Sequence, residues 1–260
     1  NIIRNKTLDS VRNFGNGEEG FDLQIVIGDL SQLKKEYMNV YSDLHRRARL
    51  SAEGDKLRER LYNDKRFKSV HALSEIDLLA RSGELEKWNN QLTKLVPCLE
   101  FHEKVLTDSP TCPFCHFRPS QQTVSVSSDT IVKNLDIQLS DILKNWRKAL
   151  RDNLNSEIAR HSLEAMAANE RKPIEEFLAQ SEDAEILPDN FILVANQALR
   201  GISAVALSIN ALLNSLKEGG LPCTKEEMLN RFRRFLDQQM QGHDAGNTRL
   251  TLDQQFQEVK

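Results

Sequence analysis

The sequence predicts an all-α fold of elongated antiparallel helices joined by a zinc-knuckle-like loop, with a small C-terminal helical bundle. Three observations carry that expectation. Leu, Glu, Lys, Arg, Gln and Ala dominate, and these are the good helix formers; only 11 Gly and 7 Pro interrupt 260 residues. Apolar residues recur at threes and fours along most of the chain. Three of the four cysteines (Cys98, Cys112 and Cys115) fall in one Pro-bearing stretch between two helical patterns. The organisation expected is a lead-in over 1–28 with one short strand, a long-helix region over 29–182 with a Cys-rich loop at 98–119, and a helical bundle over 183–260.

Residues 1–20 carry Gly15, Gly17 and Gly20 in a polar context and read as a loop. Phe21, Leu23, Ile25 and Ile27 then alternate with other residues, the period of a strand. The only other alternating stretch is Leu250–Leu252, so a small pairing of the two termini would give each strand a partner. From Asp29 the period lengthens. Leu30, Leu33, Tyr37, Val40, Tyr41 and Leu44 line one face of a helix that continues past Gly54 to Leu57 and Leu61. Asn63-Asp64 marks a turn. Val70, Leu73, Ile76 and Leu79 form a second helical pattern, and Ser82-Gly83 breaks it before Leu85, Trp88, Leu92 and Leu95. Pro97 predicts a kink or a new start.

The segment 107–128 is a loop with Pro110, Pro113 and Pro119. Ser128 or Asp129 caps the next helix. There Val132, Leu135, Leu139, Ile142, Trp146 and Ala149 make a heptad-like seam, and the helix runs on through Leu154 and Ile158. Pro173 starts a helix in its first turn. The stretch 173–190 holds six acidic residues and no Lys or Arg, and reads as an exposed boundary ending at Pro188. Asp189 caps an apolar helix with Phe191, Val194 and Leu199. Gly201 separates it from a helix over Val205–Leu216, which Gly219-Gly220 ends. Thr224 and Glu227 have capping-box spacing before a last helix with Met228, Phe232, Phe235 and Leu236, ending at Gly242.

Composition excludes several functions. Against 35 Lys+Arg stand 38 Asp+Glu, for a net charge of −3, so total charge draws the chain to neither nucleic acid nor anionic lipid. No apolar run reaches the ~18–20 residues of a membrane span. No signal peptide is visible, and the chain starts at Asn1 without Met, which reads as a piece of a longer cytoplasmic polypeptide. In a reducing compartment, clustered thiols point to metal rather than to disulfides.

The chemistry sits in Cys98-Leu-Glu-Phe-His102 and Cys112-Pro-Phe-Cys115-His116. Two thiolates two residues apart can face one ion while the intervening backbone turns. Zn²⁺ takes four such ligands in a tetrahedron, with sulfur at about 2.3 Å. Cys98 is the third ligand. His102, four residues later and on the same face if that segment is helical, is the fourth, with His116 as its competitor. With no open position and no H-E-x-x-H or H-x-E motif, the expected role is structural. The competing readings are small buried hydrophobes and a redox CxxC, which lacks its βαβ context.

No phosphate-cradling loop or nucleophile elbow occurs, so no catalytic residue is expected. Gly15-Asn-Gly17-Glu-Glu-Gly20 has dinucleotide spacing, but its acidic residues repel phosphate. Over 41–72, nine Lys/Arg face five Asp/Glu. Arg46, Arg47, Arg49, Lys56, Arg58, Arg60, Lys65, Arg66 and Lys68 are therefore the alternative DNA-contacting set; a solvated face with internal ion pairs is the favoured account. Tyr41, His45 and Arg49 form one helical stripe, expected to be a packed, hydrogen-bonded interhelix contact. Trp88 and Trp146 are expected in the core.

Several short motifs resemble a known family. They are Tyr41-x-x-Leu44-His45-x-x-Ala48-Arg49-Leu50, Cys98, Pro110-x-Cys112-Pro-x-Cys115-x-Phe117-Arg118-Pro119, Gly220-Leu-Pro222-x-Thr224 and Thr248-Arg249-Leu250. In these the chain is similar to the C-terminal part of the large ATPases of BREX phage-exclusion systems, of the BrxC/PglY type. The resemblance implies a bacterial, cytoplasmic parent with an N-terminal P-loop ATPase outside this chain. It also implies a defence complex that includes a DNA methyltransferase. No catalytic residue carries over. Cys98, Cys112 and Cys115 carry over as a structural site. The function expected is a non-catalytic interaction or oligomerisation module with protein partners.

Overall fold

The computed structural model describes residues 23–253 except 81, 122 and 123, and, before them, residues 5, 8, 9, 12, 13 and 15. The fold is mostly helical, as expected: among the described residues there are eleven α-helices, one 3-10 helix and two short strands. The chain divides into two compact units, each made of two stretches. One comprises the described residues of Asn1–Leu57 with Leu95–Lys133, the other those of Arg58–Lys94 with Asn134–Lys260.

The first unit is organised on α1, Leu23–Ala48. The helix occupies the stretch whose alternation predicted a strand, with Phe21 outside the described residues. A strand there would leave a ladder of N–H and C=O groups to satisfy, whereas a helix satisfies them within the segment. Ile27, Leu30 and Val40 are exposed along α1. After Ala48 the chain breaks instead of continuing as one long helix. Leu50 makes a parallel bridge to Pro97, its N–H donating to the Val96 carbonyl at 3.1 Å. Ser51 then begins α2, Ala52–Tyr62, its Oγ accepting from the Gly54 N–H at 3.1 Å. Asp129 Oδ1 accepts from the Ser51 N–H at 3.0 Å, so a single carboxylate ties this break to the start of a later helix. The stretch 95–127 is mostly loop, with one 3-10 helix at Glu103–Thr107. Its core is small: Tyr41, Leu106, Cys112 and Phe117 are fully buried, with Met38, Leu44, Ala48, Phe101 and Val105 packed against them.

The second unit has the larger core. Asp64 caps α3, Lys65–Leu73, by accepting from the Arg66 N–H, at the turn expected there. α4, Asp77–Ala80, and α5, Glu84–Lys94, follow. The 27-residue α6, Ser128–Leu154, has buried Leu135, Leu139, Leu143, Trp146, Leu150 and Leu154. Past Leu139 the buried stripe moves from the expected Ile142 and Ala149 to Leu143 and Leu150. This is the drift of a straight 3.6-residue helix away from a heptad. Trp88 donates to the Leu135 carbonyl and Trp146 to Glu84 Oε2, both at 2.8 Å, so both indoles are core residues with their polar edge satisfied.

The helix expected to reach Ile158 stops at Leu154, because Ser156 caps a new one, α7, Glu157–Glu164. α8, Ala168–Ala179, holds Pro173 in its interior. It starts upstream of the expected first turn because Glu170 accepts from the Ala167 N–H at 3.2 Å. α9, Phe191–Ala198, is capped at Asn190 in the left-handed region, one residue past Asp189. Phe191 stacks on Phe177 at 4.2 Å. The expected helix over Val205–Leu216 divides into β1, Ser203–Ser208, and α10, Ile209–Lys217. β1 pairs in parallel with β2, Thr248–Asp253, setting Val205 opposite Leu250 and Leu207 opposite Leu252. Leu250–Leu252 is thus a strand, but its partner is β1 and not the chain's start. α11, Lys225–Gln239, carries the expected Thr224–Glu227 capping box.

Candidate metal centre

α1 presents one stripe of polar side chains to the Cys-bearing loop, each spaced three or four residues from the last. Lys34 Nζ donates to the Thr107 carbonyl at 3.0 Å. The Tyr37 hydroxyl donates to the Pro110 carbonyl. The Tyr41 hydroxyl accepts from the Cys112 N–H and donates to the Phe117 carbonyl, both at 2.7 Å. It therefore clamps the two ends of the Cys112–Phe117 turn. Within that turn the His116 N–H donates to the Cys112 carbonyl at 3.0 Å. His116 takes φ of 50°, a left-handed conformation uncommon outside glycine. This reverses the chain behind Cys115.

Cys98 arrives from the other side, one residue after the Leu50–Pro97 bridge. The result is a group of four donors: His45, Cys98, Cys112 and Cys115, whose ligand atoms all lie within 4.8 Å of one another. His45 Nε2 stands 3.2 Å from Cys115 Sγ. Cys98 Sγ and Cys112 Sγ are 3.7 Å apart, and all four cysteines are free. A disulfide needs about 2.05 Å. The edge of a tetrahedron with sulfur about 2.3 Å from its centre is about 3.8 Å, which the observed separation matches. The group is therefore close enough to bind one metal ion.

The surroundings suit that task. His45 is fully buried, stacked on Phe101 at 3.9 Å and edge-on to Phe117 at 5.6 Å. Burial, assisted by the Arg49 charge, lowers its pKa to about 4, leaving a neutral imidazole, the form that ligates metal. Burial and the two neighbouring thiols push Cys98 up to about 12. Burial also acts to raise Cys115. Hydrogen bonds from the Arg49 guanidinium and the Phe117 N–H outweigh it and bring Cys115 below the ordinary thiol value. The Arg49 guanidinium lies 5.1 Å from the Phe117 ring centroid. Three thiolates on a divalent ion leave one negative charge, and Arg49 sits where that charge would be balanced.

The structure brings Cys98, Cys112 and Cys115 together. His102 and His116, the expected choices for fourth ligand, are exposed and outside the group. Residues 98–102 form a turn rather than a helix, so Cys98 and His102 do not share a helical face; His102 precedes the 3-10 helix in extended conformation. His45 takes the fourth place. Its signal was in the sequence: the Tyr41, His45, Arg49 stripe put an imidazole on the helix face that also carries a buried tyrosine. What could not be read was that this face meets a loop some 70 residues away.

Five of the nine basic residues of the DNA-contacting set are engaged by groups within their own unit. Arg46 donates to the Ser42 carbonyl at 3.3 Å. Arg47 donates to the Val124 and Ser125 carbonyls at 3.1 and 3.2 Å. Arg49 belongs to the thiol group. Arg66 bridges Asp64 at 2.7 Å and Asp136 at 2.6 Å and donates to Ser140 at 2.7 Å. Arg60 lies 3.5 Å from Asp136. Lys56, Lys65 and Lys68 are exposed, and Arg58 is half-buried. Residues 46–56 fall in the first unit and 58–68 in the second. No helix among the described residues is long and apolar enough to cross a membrane.

Nothing matches the chain among curated proteins or among solved structures. Residues 53–145, which include Cys98, Cys112 and Cys115 but not His45, match a family described as "Family of unknown function (DUF6079) 6th domain".

Proposed function

We propose that the chain is a non-catalytic interaction or assembly module of a larger protein, its Cys-bearing unit stapled by one structural Zn²⁺ on His45, Cys98, Cys112 and Cys115. The observation that carries the zinc assignment is the four-donor group within 4.8 Å. Three sulfurs and one imidazole favour zinc over the hard, oxygen-seeking ions. A site closed by four protein ligands leaves no position for a reacting water, so its role is structural. The unit needs such a staple. Its loop has little regular structure, and the apolar cluster around the thiols centres on four buried side chains, a small local core of the kind that a metal completes.

The matched family's description as a sixth domain fits a segment of a multidomain polypeptide. The setting we propose, on the resemblance to BREX ATPases, is a bacterial, cytoplasmic phage-defence complex in which this module contacts other subunits or a second copy. The zinc assignment is tested by elemental analysis of the reduced, purified chain beside Cys112→Ser. One equivalent of zinc, lost in the variant, is expected; a metal-free wild type overturns it. The module assignment is tested in the parent protein. Cys112→Ser is expected to weaken co-purification of partner subunits and to spare nucleotide hydrolysis. Loss of hydrolysis with assembly intact would contradict it.

A further inference from the structure

The three thiols of the metal centre are not equivalent. Cys112 is fully buried, its backbone N–H taken by the Tyr41 hydroxyl. Cys115 receives the Arg49 guanidinium and the Phe117 N–H. Cys98 is half-buried, lies in no helix or strand, precedes the exposed Leu99, and interacts chiefly with the other two sulfurs. Hydrogen bonds from a cation or an N–H draw electron density from a metal-bound thiolate and blunt it as a nucleophile. Burial blocks approach to Cys112, while Cys98 and Cys115 are both half-buried and differ in the donors that Cys115 receives. Cys98 is therefore the reachable sulfur that is also electron-rich, and Cys112 stands 3.7 Å from it.

We propose that Cys98 is an oxidation site through which a hydroperoxide releases the metal, a regulation that rests on the zinc reading above. The Cys98 thiolate attacks one peroxide oxygen. An S–O bond forms, the O–O bond breaks, and the departing oxygen takes a proton to become water or an alcohol. The Cys112 thiolate then attacks the sulfenic sulfur, forming an S–S bond and expelling hydroxide, which a second proton converts to water. Two thiolates lose two electrons and the peroxide gains them. With two of its four ligands gone, Zn²⁺ leaves. A thiol reductant reverses the step. The sulfurs need to close from 3.7 Å to about 2.05 Å, and Cys98 is in a segment without regular structure.

The test uses the zinc-loaded chain and hydrogen peroxide, with zinc release read by a chromogenic chelator and thiols mapped by peptide mass spectrometry. Zinc release in step with a Cys98–Cys112 disulfide is expected, reversed by dithiothreitol, with Cys223 still reduced as the internal control. Alkylation of the zinc-loaded chain by N-ethylmaleimide is expected faster at Cys98 than at Cys115, with the free thiol of Cys223 followed separately. Arg49→Gln is expected to narrow that gap. Wild-type mapping does not depend on any variant folding. A chain that binds no zinc sinks the zinc reading before peroxide is added. Zinc retained under excess peroxide, or first modification at Cys115, overturns this inference alone.

Discussion

Tyr41→Phe removes one oxygen and leaves the ring. Tyr41 is 1% exposed, so the lost hydroxyl has no ready substitute from solvent. It accepts from the Cys112 N–H and donates to the Phe117 carbonyl, each at 2.7 Å. Two such bonds contribute about 1 kcal/mol each, and an orphaned buried partner costs about 1–3 kcal/mol. Partial relaxation brings the expected total to about 2–4 kcal/mol. The loss falls on the turn that carries two of the four ligands, so it emerges as weaker metal binding. At about 1.4 kcal/mol per tenfold, zinc affinity drops roughly 30- to 1,000-fold. A competition titration against a chelator of known affinity measures this. Tyr37→Phe is the control: Tyr37 is 44% exposed and makes one bond, to the Pro110 carbonyl. Its affinity is expected to stay within about threefold of wild type, since solvent replaces an exposed partner. A Tyr41→Phe chain that binds zinc as wild type does would refute the idea that this hydroxyl holds the turn.

Other expectations follow from the same structure. Gly54→Ala sets a methyl 2.0 Å from Asp129 Oδ1; alanine's helix propensity recovers about 1 kcal/mol, but overpacking of about 1–3 kcal/mol and the displaced Ser51 cap outweigh it, and thermal unfolding shifts down by a few degrees. Arg66, through its hydrogen bonds, holds the Asp64 carboxyl below its ordinary value. Asp64 therefore stabilises the fold above the unfolded carboxylate value of about 3.9, and that stability is lost as pH falls through the lower folded value; Asp64→Asn should flatten this acid limb in pH-dependent denaturant unfolding, and an unchanged limb would show the pair to be inert. With Arg46, Arg47, Arg49, Arg60 and Arg66 engaged within the chain, no shift of duplex DNA is expected in low-salt gel electrophoresis. A salt-sensitive shift abolished by neutralising Lys56, Lys65 and Lys68 would reinstate the DNA reading.

What was legible in the sequence was local. The Thr224–Glu227 capping box, the Asn63-Asp64 turn and the apolar stripe of α6 as far as Leu139 depend on neighbours within a few residues, and the chain obeyed them. The strand pairing was not local. Ser203–Ser208 holds a continuous apolar run, Ala204–Leu207, which period alone cannot tell from a helix, and nothing within it marks Leu250–Leu252 as its partner. The same division holds at the metal centre. The CxxC turn and Cys98 were visible from their spacing. His102 was expected from proximity along the chain, whereas His45 is brought in by α1 packing on a loop 70 residues away. The polar side chains of α1 select that loop one by one, and a pattern of apolar residues carries no record of such contacts.

X-ray absorption at the zinc edge of the reduced chain, with His45→Ala and His102→Ala beside wild type, tests the central claim most directly. The account predicts one zinc with three sulfurs at about 2.3 Å and one nitrogen at about 2.0–2.1 Å, the nitrogen lost in His45→Ala and kept in His102→Ala. No zinc in fresh, reduced protein, or a nitrogen that disappears with His102 instead, would contradict it.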